Sequence, residues 1–236
     1  MTSIKTEVQD GLCLVHLNDG KANAINKAFL DGLSEAMDRA EADQQSMVLI
    51  GRPGFFSGGL DLKTLPSLPP DELLAVLKQF GEVMMRLFVF PQPVVAACTG
   101  HAIAGGSVTL LACDERVATE GKFKLGLNET AIGLSLPLFV VEFARCQIGP
   151  QHLQAVITNG ELFTPEQARD IGLVQLVLPP DDVIPAAIKR AKELSVLPGQ
   201  AYADNKKAIR GPFDQLGRNA YEEELVRFQG FFDSKS

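Results

Sequence analysis

Two glycine-rich segments constrain this chain more than any other feature: Phe56-Ser57-Gly58-Gly59-Leu60-Asp61-Leu62 and Gly100-His101-Ala102-Ile103-Ala104-Gly105-Gly106. Each follows an apolar run and precedes a stretch that reads as helix. A strand-to-helix junction of this kind leaves backbone N–H groups without acceptors in their own element. Two such donors converging on one oxygen form an oxyanion hole, which stabilises negative charge developing on a carbonyl. A single glycine pair carries little information, but two junctions this close in one chain predict an enzyme.

The surrounding pattern alternates strand and helix. Thr6-Glu7-Val8 and Leu12 to Leu17 read as paired strands around a turn at Asp10-Gly11. After a polar loop from Asn18 to Asn26, the residues Phe29, Leu30, Leu33, Ala36, Met37 and Ala40 recur at helical spacing. Ser46 to Gly51 is a short apolar strand entering the first glycine segment, and Val94 to Cys98 is its counterpart before the second. Between them, Pro66 to Pro70 breaks the chain and Asp71 is expected to cap a helix carrying Leu74, Leu77, Val83 and Leu87. Ser107 to Cys113 reads as a buried helix, and Arg116 to Thr119 as a further strand. Thr164-Pro165-Glu166-Gln167 has the form of a capping box with proline at the first helical position, its helix ending at Gly172 before a strand from Leu173 to Leu178. From Asp181 onward the pattern is helical, with Tyr221, Leu225 and Phe228 on a last helix and Phe231 and Phe232 after it. This order predicts an α/β fold with a mainly parallel sheet and right-handed crossovers.

Composition narrows the function classes. The net charge of −7 argues against a nucleic-acid or anionic-membrane surface. The four cysteines, Cys13, Cys98, Cys113 and Cys146, lie in apolar surroundings without C-x-x-C spacing and read as buried free thiols of a reducing compartment. No two of the three histidines share metal-ligand spacing, so no metal site is expected. A polar start from Thr2 to Gln9, and apolar runs too short or too interrupted to span a bilayer, predict a soluble, cytoplasmic protein.

Five segments in order then meet a known pattern: Asn23-Ala24-Ile25-Asn26, the two glycine segments, Cys113-Asp114, and Gly126-Leu127-Asn128-Glu129. With them the chain resembles the crotonase, or enoyl-CoA hydratase/isomerase, superfamily over nearly its whole length. The resemblance implies a crotonase-like spiral of ββα units with a helical C-terminal part, divided as a core over residues 1–180 and a helical trimerisation region over 181–236. It implies a homotrimer or dimer of trimers, and an acyl-CoA thioester substrate in which coenzyme A is part of the substrate and no separate cofactor is used. The oxyanion donors it implies are the backbone N–H groups of Leu60 and Gly105, each at a helix start where the helix dipole assists. Binding of the coenzyme is implied along Ala22, Ala24, Gly58, Gly59, Leu60, Asp61, Leu62 and Gly105.

The acid–base inventory bears on the reaction. Many hydratases of the family carry two glutamates. Here the first position matches Val108, which exchanges no proton, and the second matches Glu129. Hydration needs an activated water and a proton for the α carbon, work suited to two carboxylates. Moving a double bond from C3 to C2 needs no water, and one base can take the C2 proton and return it at C4. The Gly126-Leu127-Asn128-Glu129-Thr130 string also looks like the equivalent segment of mitochondrial Δ3,Δ2-enoyl-CoA isomerases, so the expected function is that isomerisation, an acyl-CoA reaction of fatty acid metabolism, with Glu129 as the single proton shuttle. A hydratase, another crotonase-type reaction and a non-catalytic acyl-CoA-binding protein are the alternatives.

Other candidates have plainer readings. Asp61 either meets the adenine end of the coenzyme through its backbone or caps the following turn. Asp114 and Glu115 read as structural carboxylates, His101 as a hydrogen-bonding spacer, and Ser57 lacks the partners of a nucleophile. The Asn205-Lys206-Lys207-Ala208-Ile209-Arg210 cluster either meets the coenzyme phosphates or is a solvated helix face. The helix from Asp71 and the residues from Leu136 to Phe139 are expected to enclose the acyl tail.

Overall fold

The computed structural model describes the backbone of residues 4–233 and the side chains of residues 4–230, so the side chains of Phe231 and Phe232 lie outside the described residues. The chain opens with the expected hairpin, β1 (Ile4–Gln9) antiparallel to β2 (Leu12–Leu17). Asp10 and Gly11 between them both have positive φ, the geometry of a two-residue turn whose twist matches that of the strands. Helix α1 (Lys27–Ala42) starts where the Asn26 side chain accepts the Phe29 N–H, and all six of its predicted apolar positions are buried.

From there each winding of the spiral supplies two strands and a helix. The first is β3 (Met47–Ile50), β4 (Gly54–Ser57) and α2 (Pro70–Phe88); the second is β5 (Val94–Cys98), β6 (Gly100–Ile103) and α3 (Gly105–Ala112). The third begins with β7 (Glu115–Thr119) and β8 (Leu125–Gly126) and continues into α4 (Leu138–Gln147), α5 (Pro165–Asp170) and β9 (Leu176–Leu178). The strands do not form the one sheet that alternation alone suggests. β1, β2, β3, β5, β7 and β9 lie side by side in one sheet, parallel after the first pair, while β4, β6 and β8 form a second, parallel sheet of three. Part of the second glycine segment is therefore itself a strand, β6. Its first residue has to be glycine, because a Cβ there would run into the Gly54 carbonyl of the neighbouring strand.

Helix α6 (Pro180–Ser195) covers one face of the large sheet, where Val183, Ala187 and Ala191 pack on Leu12, Leu14, Val48, Ile50, Val95 and Ala97. The alternate strand residues Cys13, Val15, Leu49 and Ala96 face the main core. Strands buried on both faces read as unbroken apolar runs, as β3 and β5 do. Helix α7 (Gly199–Asp233) then crosses α2 and α4. It is tied down by Tyr221, whose hydroxyl donates to the Leu77 carbonyl, and by Glu224, which accepts the Leu138 N–H. Asp71 is not a cap: α2 starts after Pro69 with no side-chain cap, and Asp71 sits in its first turn, where its charge complements the helix dipole. The capping box at Thr164 and Gln167 is formed in full. No described helix is long and apolar enough to cross a membrane, and no described group of His, Cys, Asp or Glu could hold a metal ion.

Candidate active site

The loop after β2 folds on its own side chains. Asp19 accepts N–H bonds from Lys21, Asn23 and Ala24, and Asn23, at φ 50°, donates its amide to the carbonyls of Leu17, Phe55 and Phe56. The loop is thereby pinned beside the end of β4. Gly58 N–H donates to Ala22 O, Ile25 N–H to Gly59 O, and Asp61 N–H to Ile25 O. Ser57 Oγ donates to the Asn23 carbonyl and accepts the Gly59 N–H. Every N–H from Gly58 to Leu62 is thus committed except that of Leu60, which has no acceptor among the described residues.

The second segment leaves the Gly105 N–H free by a different route. Ala104 N–H bonds to Gly126 O, and Ala104 itself sits at φ 52° and ψ −123°, a backbone conformation that L residues other than glycine rarely adopt. That turn starts α3 at Gly105, whose N–H also lacks an acceptor among the described residues. The two donors are close. A Cβ built on Gly59, which has φ +87°, would lie 3.0 Å from Gly105 N, and one built on Gly105 would lie 3.4 Å from Leu60 N. Glycine at both positions lets the two chain segments touch. The expectation that both donors begin helices holds for Gly105 alone, because Leu60 enters a turn rather than an α-helix and its N–H is spared by the bridge to Ile25.

The donors border an apolar cavity of about 130 Å³. Leu60, Gly105, Val108, Glu129, Phe80 and Phe228 are among its walls, together with Asn128 and the segment from Leu134 to Pro137. Glu129 is the one titratable residue lining it among the described residues. Its side chain is buried, Oε2 has no hydrogen-bond partner, and burial pushes its pKa up to about 7. Val108, 1% exposed, fills the wall on α3.

A family model described as enoyl-CoA hydratase/isomerase matches residues 7–236. The chain belongs to this family. It is 26% identical to human mitochondrial enoyl-CoA delta isomerase 1 over 211 residues, covering 88% of this chain and 70% of that one. It is 31% identical to a probable enoyl-CoA hydratase of Bacillus subtilis over 179 residues, covering 75% and 69%. The crystal structure of human mitochondrial Δ3-Δ2-enoyl-CoA isomerase superposes with a TM-score of 0.93 at 25% identity, covering 99% of this chain and 93% of that one. The protein is therefore an acyl-CoA enzyme of the hydratase/isomerase type, with the crotonase fold.

Of the residues singled out in the sequence, Gly58, Leu60, Leu62, Gly105 and Glu129 come together around this cavity in the hydratase/isomerase fold. Gly59 lies directly behind the donors, while Ala22, whose carbonyl accepts the Gly58 N–H, and Ala24 do not line the cavity. Asp61 caps the next turn, its Oδ1 accepting from the N–H groups of Lys63 and Thr64. His101 accepts the Lys124 N–H and packs between the rings of Phe55 and Phe123, so it is a spacer. Ser57 is consumed in the loop bonds described above. Lys206 and Arg210 are not available to phosphates. Both are buried and paired with Asp114, at 2.7 and 3.1 Å, which leaves only the exposed Asn205, Lys207, Ala208 and Ile209 of that cluster on the surface. Asp114 and Glu115 are structural, the latter paired with Arg190.

Sequence reasoning did not find Asn128 as a cavity residue, the strained Ala104, or the Asp19–Asn23 clasp. Only the clasp had a signal, since Asp and Asn side chains in a polar loop commonly bond nearby backbone.

Proposed function

We propose that the chain is a Δ3,Δ2-enoyl-CoA isomerase in which Glu129 is the single proton shuttle. The observation that carries this reading is the cavity itself, apolar, with one titratable side chain and two unclaimed backbone donors.

The Glu129 carboxylate takes a C2 proton from a 3-enoyl thioester, and the electrons released spread through C4 and onto the thioester oxygen. That oxygen takes the N–H groups of Leu60 and Gly105, which are held in place before charge develops. The acid form of Glu129 then returns the proton at C4, leaving the double bond between C2 and C3. A carboxyl with a pKa of about 7 accepts and returns a proton with similar ease near neutral pH. Val108 supports the same reading, because it leaves the α3 wall with no second acid and keeps water out. Coenzyme A enters as part of the substrate, with no separate cofactor, and the assembly belonging to this reading is a homotrimer or dimer of trimers.

One assay tests it. Purified protein is given 3-enoyl-CoA and 2-enoyl-CoA separately, each with and without Glu129→Gln. The expected result is conversion of the 3-enoyl substrate alone, lost in the variant. Rapid formation of 3-hydroxyacyl-CoA from the 2-enoyl substrate, or isomerisation that survives Glu129→Gln, overturns the assignment.

A further inference from the structure

Helix α3 carries two hydroxyl side chains and spends them differently. Thr109 Oγ1 donates to the Gly105 carbonyl four residues back in its own helix, at 2.9 Å, the local bond that serine and threonine usually make there. Ser107 makes both of its bonds outside the helix. Its Oγ donates to the Ala102 carbonyl of β6 at 2.7 Å and accepts the Gly126 N–H of β8 at 2.9 Å. The side chain is fully buried, in a helix otherwise made of glycine, alanine, valine and leucine apart from Thr109. A hydroxyl in such surroundings costs stability unless its bonds are made, and here both are.

The two strands it joins carry the two halves of the site. β6 leads through Ala104 to the free Gly105 N–H, and β8 leads through Leu127 and Asn128 to Glu129. Gly126 is held at both of its backbone groups by the residues around Gly105: its N–H by Ser107, and its carbonyl by the Ala104 N–H at 2.9 Å. On its other edge β8 is fastened by Leu125, which exchanges backbone bonds with Phe163, but those bonds run to the segment before α5 and not to the donor turn. The Ser107 contact is made by a side chain, so it can be removed while the backbone ladder stays.

We propose that Ser107 is a positioning residue for the reaction, its hydroxyl setting where Glu129 stands relative to the Gly105 N–H. The inference rests on the reading that Glu129 moves the proton, and adds that α3, which presents one oxyanion donor, also places the shuttle. Without the hydroxyl, the Ala102 carbonyl and the Gly126 N–H, one step apart in the β6–β8 register, turn to each other. β8 then closes toward β6 and takes Glu129 with it. Proton transfer depends steeply on such placement, whereas thioester binding is spread over the whole cavity wall.

The test is a double-mutant cycle on isomerisation of 3-enoyl-CoA, comparing the parent protein, Ser107→Ala, Glu129→Gln and the double variant. Ser107→Ala is expected to lower kcat by about 10- to 100-fold with KM within about threefold. In the Glu129→Gln background the same substitution should change the residual kcat by less than about threefold, because residues that act as a unit are not additive. Equal losses in both backgrounds overturn the proposal, since Ser107 then acts through the donor or the fold and not through Glu129. A Ser107→Ala kcat within about twofold of the parent, or a loss confined to KM, also overturns it. In those three cases Glu129→Gln is still inactive and the shuttle reading stands. No turnover of 3-enoyl-CoA by the parent, or a parent-like rate in Glu129→Gln, overturns the shuttle reading and this inference with it. If Ser107→Ala does not fold, Ser107→Cys is carried through the same cycle, its thiol offering weaker forms of both bonds.

Discussion

The two ends of α3 hold buried carboxylates in opposite circumstances. Past its C-terminus, Asp114 is clasped by Lys206 and Arg210 and also accepts the Val94 N–H. Near its N-terminus, Glu129 shares the cavity with the Gly105 N–H, and no cation pairs with it. Both side chains are out of solvent. The first has its charge answered by two cations that α7 brings across the fold, so it fastens that helix to the sheet. The second has no such answer, and its proton affinity rises. Burial by itself therefore does not mark a catalytic acid. Burial without a partner, beside free donors and an apolar space, is what makes Glu129 rather than Asp114 the candidate.

The contrast can be broken by neutralising each carboxylate. Glu129→Gln is expected to lower kcat by about 10²- to 10⁴-fold with folding intact, measured by isomerisation of 3-enoyl-CoA and by thermal unfolding. Asp114→Asn should do the reverse. Two buried cations lose their counter-charge, so stability should fall by about 3–5 kcal/mol in denaturant unfolding while the folded fraction keeps its kcat. If the two variants behave alike, the distinction between fastener and shuttle is lost.

A pH series sharpens the same comparison. The folded-state pKa of Glu129 lies above its unfolded value, so the native state holds that proton more tightly. The stability it contributes is full below the ordinary carboxylate pKa and is lost as pH rises to about 7. Glu129→Gln should therefore match the parent protein near pH 4 and exceed it by up to about 3 kcal/mol at pH 8, read from unfolding curves at the two pH values. A variant that is less stable at pH 8 would indicate a cation beside Glu129. The smallest effect is expected at the first glycine segment. Leu60→Ala should change kcat by less than about tenfold, because the proposed contact is made by the backbone N–H, which the substitution leaves in place. A much larger loss in a folded, coenzyme-binding variant would move the oxygen contact elsewhere.

Much of this framework was legible in the chain. The spacing of Phe29, Leu30, Leu33, Ala36, Met37 and Ala40 marked α1, and Thr164 with Gln167 marked the start of α5, because helix periodicity and capping are local properties. The ordered motifs pointed to the family and to the segments that line the cavity. The three short strands β4, β6 and β8 were less visible. They are two to four residues long and rich in glycine, and what makes them strands is hydrogen bonding to one another across windings of the spiral. The same limit applies to the basic cluster. Lys206 and Lys207 are neighbours in sequence, yet one is buried against Asp114 and the other is exposed, according to which side of α7 faces the sheet.

What the sequence determined by itself was the kind of fold and the presence, in order, of two glycine junctions, Val108 and Glu129. Those follow from residue type and local spacing. The tertiary structure decided which N–H groups stay unclaimed, that Gly105 begins a helix while Leu60 does not, and that Glu129 is buried without a counter-ion while Asp114 is not. Each of these depends on groups far apart in the chain meeting or failing to meet, and free donors and shifted proton affinities arise only from such meetings.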